Sequence, residues 1–211
     1  MTSLVAQPYC APMRIRYNAP VTLTFALLAA TVLIVDSLTT GTLTLTLFSV
    51  GATMDVTNIL DYPRLFLHVL GHQGWSHLMG NMAFILLLGP ILEEKHGSGS
   101  LLFMMFVTAL VTGILNVLVF STGLLGASGV VFMMILLVSF TNIKRGEIPL
   151  TFILVVILYL AQEVVLMLND DQISQFAHII GGIIGSVFGF VQHGRGLGDS
   201  TATSDNEEIS V

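Results

Sequence analysis

Charge is what this chain most lacks. Of its 211 residues, 9% are charged and 54% are hydrophobic, whereas an ordinary soluble domain carries roughly 25% charged residues. So few charges cannot cover a water-facing surface, and the composition is that of a membrane protein. Cysteine is nearly absent: Cys10 stands alone, which excludes an internal disulfide. The net charge of −6 lacks the basic excess that nucleic-acid binding requires. No HExxH string is present, which argues against a zinc protease. The first twenty residues contain no short apolar core followed by a small-residue cleavage site, so they read as a retained tail and not as a removable signal peptide.

The few charges are grouped, and between the groups lie apolar runs near the roughly 20 residues that cross a bilayer as helix. Six spans are expected, at about 21–40, 75–92, 101–120, 126–141, 150–168 and 174–192, giving an all-α bundle. Residues 1–20 form an N-terminal tail, 41–74 a long loop, and 193–211 an acidic, polar tail whose composition predicts disorder. Arg14, Arg16, Lys95, Lys144, Arg145 and Arg195 all fall on one side of such a bundle, and Arg64 alone on the other. The positive-inside rule then puts both termini in the cytoplasm and the 41–74 loop outside.

With that orientation, the outer ends of three spans carry unusual polar residues: His77 and Asn81 on the second, Ser128 on the fourth and His178 on the sixth. Polar groups inside a membrane are costly and commonly turn toward a bundle interior or a cavity, where they mark function. Each also has a simpler explanation. His77 and Asn81 lie about 40° apart around a helix and about 6 Å apart along it, which suits an interhelical hydrogen bond. Ser128 could cap a helix, and His178 could bond a backbone carbonyl. Their shared depth is what favours a common site.

Two further features tie the polar groups together. Gly181, Gly185 and Gly189 follow His178 at +3, +7 and +11, near the histidine's face of the helix, and such glycines let helices approach closely in lipid. The natural partner is the fourth span, whose start carries Gly126 and Gly129 around Ser128. That span covers roughly 24 Å, short of the roughly 30 Å hydrocarbon core. The preceding "STGLLGAS" is therefore expected to descend into the membrane before the helix begins, which would leave Ser128 among free backbone amides at the positive end of a helix dipole.

These residues resemble the rhomboid family of intramembrane serine proteases, over a core from about 60 to 192. "GASG" around Ser128 resembles the family's nucleophile motif, and "AH" at Ala177 and His178, followed by spaced glycines, its general-base motif. "HQGWSHLMGN", with His72, His77 and Asn81, resembles the start of its second helix. Together the three motifs are highly specific. The chain departs from the family in two places. Pro63 precedes Arg64 where a Trp-Arg pair is frequent, and Phe132 stands where a tyrosine often packs on the catalytic histidine.

The resemblance implies a six-span rhomboid-like bundle with a short fourth helix starting at the catalytic serine. It also implies a Ser-His dyad of Ser128 as nucleophile and His178 as base, acting through an acyl-enzyme. The Ser128 amide, His77 and Asn81 would bind the oxyanion, with Gly126, Gly129, Phe132, Gly181, Gly185 and His72 supporting. Its substrates would be transmembrane proteins in the lipid bilayer, cut near the outer face after small residues, with no cofactor, no metal and no nucleic acid. Glu163 is the only acid near the depth of the site, and a structural or lipid-facing role is expected for it. The lack of extra domains and of a targeting extension favours a bacterial inner membrane. Two other classes remain: a non-catalytic relative that binds membrane segments, and a proton or ion transporter, though no inverted repeat is evident.

Overall fold

The helices follow the apolar runs, with ends set by groups that the runs do not reveal. A computed structural model describes residues 16–39, 41–119, 123–141, 150, 153–154, 157–158, 177–189 and 191. Among the described residues the regular secondary structure is helical apart from an isolated antiparallel pair, Val50 with Leu124. Helices α1 (Pro20–Leu38), α4 (Trp75–His96) and α5 (Ser98–Val119) are each long and apolar enough to cross a membrane. Two shorter apolar helices follow, α6 (Ser128–Thr141) and α7 (Ala177–Gly189). Of the fifth expected run, 150, 153–154 and 157–158 are helical, whereas Glu163 and the acidic tail lie outside the described residues.

The long loop between α1 and α4 is folded. It contains α2 (Leu43–Leu47), α3 (Asp61–Leu67) and a 3-10 turn over His68–Leu70. Arg64 pins this segment by pairing with Asp61 at 2.6 Å and donating to the Thr46 carbonyl. α3 packs on α5, where Gly113 receives the Leu65 carbonyl so closely that any side chain there would overlap it.

Burial separates the helices more sharply than hydropathy does. In α1 only Thr22, Ala29 and Leu33 are buried, and Leu27 and Leu38 are exposed, which suits a helix facing lipid. In α6, by contrast, every residue from Gly129 to Ile135 is buried, so its first two turns are covered all round. It packs against both α4 and α5 and forms the centre of the bundle.

At the end of the bundle away from Ser128, the start of α1 meets the end of α4. The second run was expected to stop at 92, but the helix continues to His96 and carries Glu93 into the interior, 5% exposed. The first amides of α1 have no acceptor within their own helix, and its N-cap residue, Ala19, offers no side-chain bond. Glu93 supplies the missing acceptors. It receives Val21 N at 2.9 Å, Thr22 N at 3.0 Å, Thr22 Oγ1 at 2.8 Å and Ser98 Oγ at 2.7 Å. One turn earlier, Gly89 lets Thr22 sit against the α4 backbone, where a β-carbon would lie 2.5 Å from Thr22 Cγ2. Glu93→Ala should therefore cost roughly 2–4 kcal/mol, because several charge-assisted bonds are lost and their donors stay buried. Thermal melts in detergent measure it: Glu93→Gln should fall between wild type and alanine, and an unchanged midpoint in the alanine variant would remove Glu93 as the anchor.

Candidate active site

The approach to Ser128 is an extended segment held by backbone bonds. Leu124 exchanges both of its backbone bonds with Val50, at 2.9 and 3.0 Å, and Gly126 N donates to the His68 carbonyl at 2.9 Å. Gly126 has φ +112°, which disfavours a side chain. A β-carbon there would also lie 2.6 Å from His77 Cε1, so the imidazole of His77 rests on this glycine. The helix was expected from about 126 and begins two residues later, because the Gly126 amide is committed to His68 and its φ is not helical. Ala127 provides the carbonyl for Val131 N at 3.0 Å and so stands at the N-cap position. Ser128 is the first helical residue, one place too late to act as the cap, and is half-buried. The amides that open α6 have no acceptor within the helix, and the positive end of its dipole lies there.

α7 lies on α6 backbone to backbone. A β-carbon at Gly181 would overlap the Gly129 carbonyl, and one at Gly185 the Met133 carbonyl. Across the same contact, a β-carbon at Gly129 would lie 3.1 Å from the Ala177 oxygen. The pair Ser128–Gly129 thus faces the pair Ala177–His178. His178 is 9% exposed, and its ring stacks on Phe132 with centroids 4.4 Å apart and planes 7° from parallel.

The start of α4 brings two more polar groups to this end of the bundle. His77 is half-buried and meets His72 edge-on at 5.0 Å and 66°. Asn81 is buried, and its Nδ2 lies 3.1 Å from His72 Nε2, while His72 Nδ1 lies 3.2 Å from the Leu70 carbonyl. Burial pulls the pKa of His72 down to about 4; neighbouring His77 adds to this and the bond to Leu70 opposes it. Among the described residues, no three His, Cys, Asp or Glu side chains gather as a metal site would require.

Sequence reading missed His68 and the buried polar column of α5. His68 is 1% exposed, and its Nε2 meets the Ala109 carbonyl at 3.1 Å. Thr108, Thr112 and Asn116 are buried at four-residue spacing, with Thr112 Cγ2 reaching the space over Gly129. That spacing was a visible signal, since three polar residues on one face of an apolar helix point inward. His68 had a weaker one, standing four residues before His72.

Residues 60–195 match the rhomboid domain family, and the chain belongs to that family. It is an integral membrane protein. Over 150 residues it is 25% identical to the rhomboid protease GlpG of Haemophilus influenzae, a match that spans 65% of this chain and 78% of that relative.

Burial also holds His68 unprotonated: its pKa falls from 6.5 to about 4, against the opposing pull of the bond to Ala109. Between these values the unfolded chain binds more protons than the folded one. Stability is therefore complete above pH 6.5 and is lost as pH falls toward about 4. One such group accounts for about 3 kcal/mol at most. The melting midpoint in detergent should drop across this window. His68→Gln can still donate to Ala109 and should flatten part of the drop; an unaltered pH slope in that variant would exclude His68 as a source.

Proposed function

We propose that this rhomboid-family chain is an intramembrane serine endopeptidase with Ser128 as nucleophile and His178 as general base. The observation that carries the reading is the seating of Gly181 on Gly129, which sets Ala177–His178 against Ser128–Gly129. Serine is a weak nucleophile until an adjacent base takes its proton, and Phe132 stacked on the imidazole restrains that base. Support also comes from the relative's being a rhomboid protease.

In this mechanism His178 removes the Ser128 hydroxyl proton as Oγ attacks a substrate carbonyl. The resulting oxyanion is met by the Ser128 amide at the start of α6 and by the side chains of His77 and Asn81. The C–N bond breaks as His178 returns the proton to the leaving amine, which gives an acyl-enzyme. Water, deprotonated by His178, then releases the acid product and regenerates Ser128. The substrates are transmembrane segments that unwind beside the site. The protease domain is a six-span bundle over 21–192, with 1–20 and 193–211 as cytoplasmic tails. In a bacterial inner membrane its site opens to the outer side.

Reaction with a serine-directed fluorophosphonate should label wild type and spare Ser128→Ala. Cleavage of a single-span test substrate should vanish in Ser128→Ala and His178→Ala while both remain folded in detergent. Substantial proteolysis by either purified variant would refute the dyad. For the oxyanion donors the expected signature is kinetic. His77→Ala and Asn81→Ala should each lower kcat by about a hundredfold or more, with KM little changed, because a donor used only in the transition state appears in kcat. A loss of thermal stability with normal turnover per folded molecule would instead make them packing residues.

A further inference from the structure

An asparagine side chain serves an oxyanion only if its N–H₂ end faces the reacting oxygen. Reversed, it presents a carbonyl oxygen to a developing negative charge. Something must therefore choose the orientation of the Asn81 amide, and the neighbouring ring has the chemistry to do it. His72 Nδ1 lies 3.2 Å from the Leu70 carbonyl, a group that only accepts hydrogen bonds. Nδ1 must then carry the ring proton. In a neutral imidazole this leaves Nε2 as a bare acceptor, and Nε2 is the atom that meets Asn81 Nδ2 at 3.1 Å. The amide is thereby fixed nitrogen-first.

We propose that His72 is a positioning residue for the oxyanion site: by accepting one hydrogen of the Asn81 amide, it aims the second at the substrate oxygen. The inference rests on the reading of Asn81 as an oxyanion donor. His72 is itself held by the folded loop. It is 1% exposed, it lies one residue beyond the 3-10 turn, and the intervening Gly71 lies so close to the Phe48 carbonyl that any side chain would overlap it. Burial keeps the ring neutral to about pH 4, so the acceptor persists through the range in which a histidine base operates. The long loop thus reaches the chemistry through one hydrogen bond, without touching substrate.

The test is a cycle of His72 and Asn81 variants read by kcat, KM and thermal midpoint. His72→Leu, which has no acceptor, should lower kcat about tenfold or more with KM little changed, since a misaimed donor acts on the transition state. His72→Gln can offer an amide oxygen near the position of Nε2 and should recover most of that loss. In an Asn81→Ala background, His72→Leu should have almost no further effect, because both changes remove the same donor. Normal turnover in His72→Leu beside a slow Asn81→Ala would overturn this inference and leave the oxyanion reading intact. Normal turnover in Asn81→Ala would overturn both. Equal losses from His72→Leu in the two backgrounds, or a folded His72→Gln as slow as His72→Leu, would also overturn it. If His72→Leu fails to fold, the nitrogen-15 shifts of labelled His72 in the wild-type protein decide: a proton on Nδ1 is expected, and one on Nε2 would refute the proposal.

Discussion

The contact between Gly181 and Gly129 is the constraint on which the candidate site depends. Between helices in lipid there is no hydrophobic effect to draw two surfaces together, since acyl chains are as apolar as leucine. What remains is close van der Waals packing, which weakens steeply with separation. Glycine on both sides removes the side chains that would hold the backbones apart, and Gly185 on Met133 repeats the device one turn on. The start of α7 is thereby set against the start of α6 by main-chain contact. That is a stiffer spacer than any pair of flexible side chains. A methyl group at Gly181 would overlap a carbonyl oxygen that cannot swing away, so the same geometry that brings the residues together leaves little room for variation.

A second constraint follows from the first. α6 lies at the centre of the bundle, so the chain must reach its start through buried surroundings as extended backbone, and unpaired amides there are costly. Val50 and His68 resolve this by bonding Leu124 and Gly126. Both belong to the long loop, so that loop is part of the scaffold of Ser128 and not a cover over it. His68 is the joint in this arrangement. Its carbonyl holds the segment before Ser128 while its ring holds α5, and so a residue without a place in the proposed chemistry ties the approach to Ser128 to the helix behind it.

How much of this was legible depended on whether a feature left a local pattern. The glycine spacing after His178 did, and so did the small residues around Ser128, because close helix approach and a tight turn each demand particular residues at particular spacings. The lengths of α1, α4 and α5 were readable from the apolar runs to within a few residues. Glu93 was hidden, because a charge next to Glu94 and Lys95 reads as the polar end of a span. Its partners at Val21 and Thr22 lie some seventy residues away in sequence. The central place of α6 was hidden for a different reason: hydropathy does not distinguish a helix surrounded by protein from one facing lipid. The folding of the 41–74 loop rests on pairs such as Arg64 with Thr46, which no periodicity announces.

The two departures from the family pattern show which features of these positions the architecture requires. Phe132 stacks on His178 nearly parallel at 4.4 Å, so an aromatic face suffices to restrain the imidazole, and the hydroxyl of a tyrosine is not needed for that contact. Pro63 has no indole to pack, yet Arg64 beside it still joins α3 to the end of α2 through Asp61 and the Thr46 carbonyl. In both places the group that bears on backbone or on the His178 ring is kept, and what is lost is a group that elaborated it. That division fits a site whose geometry is set by main-chain contacts and by a folded loop: side chains that only reinforce the frame are free to differ, whereas Gly126, Gly129 and Gly181, which are the frame, are not.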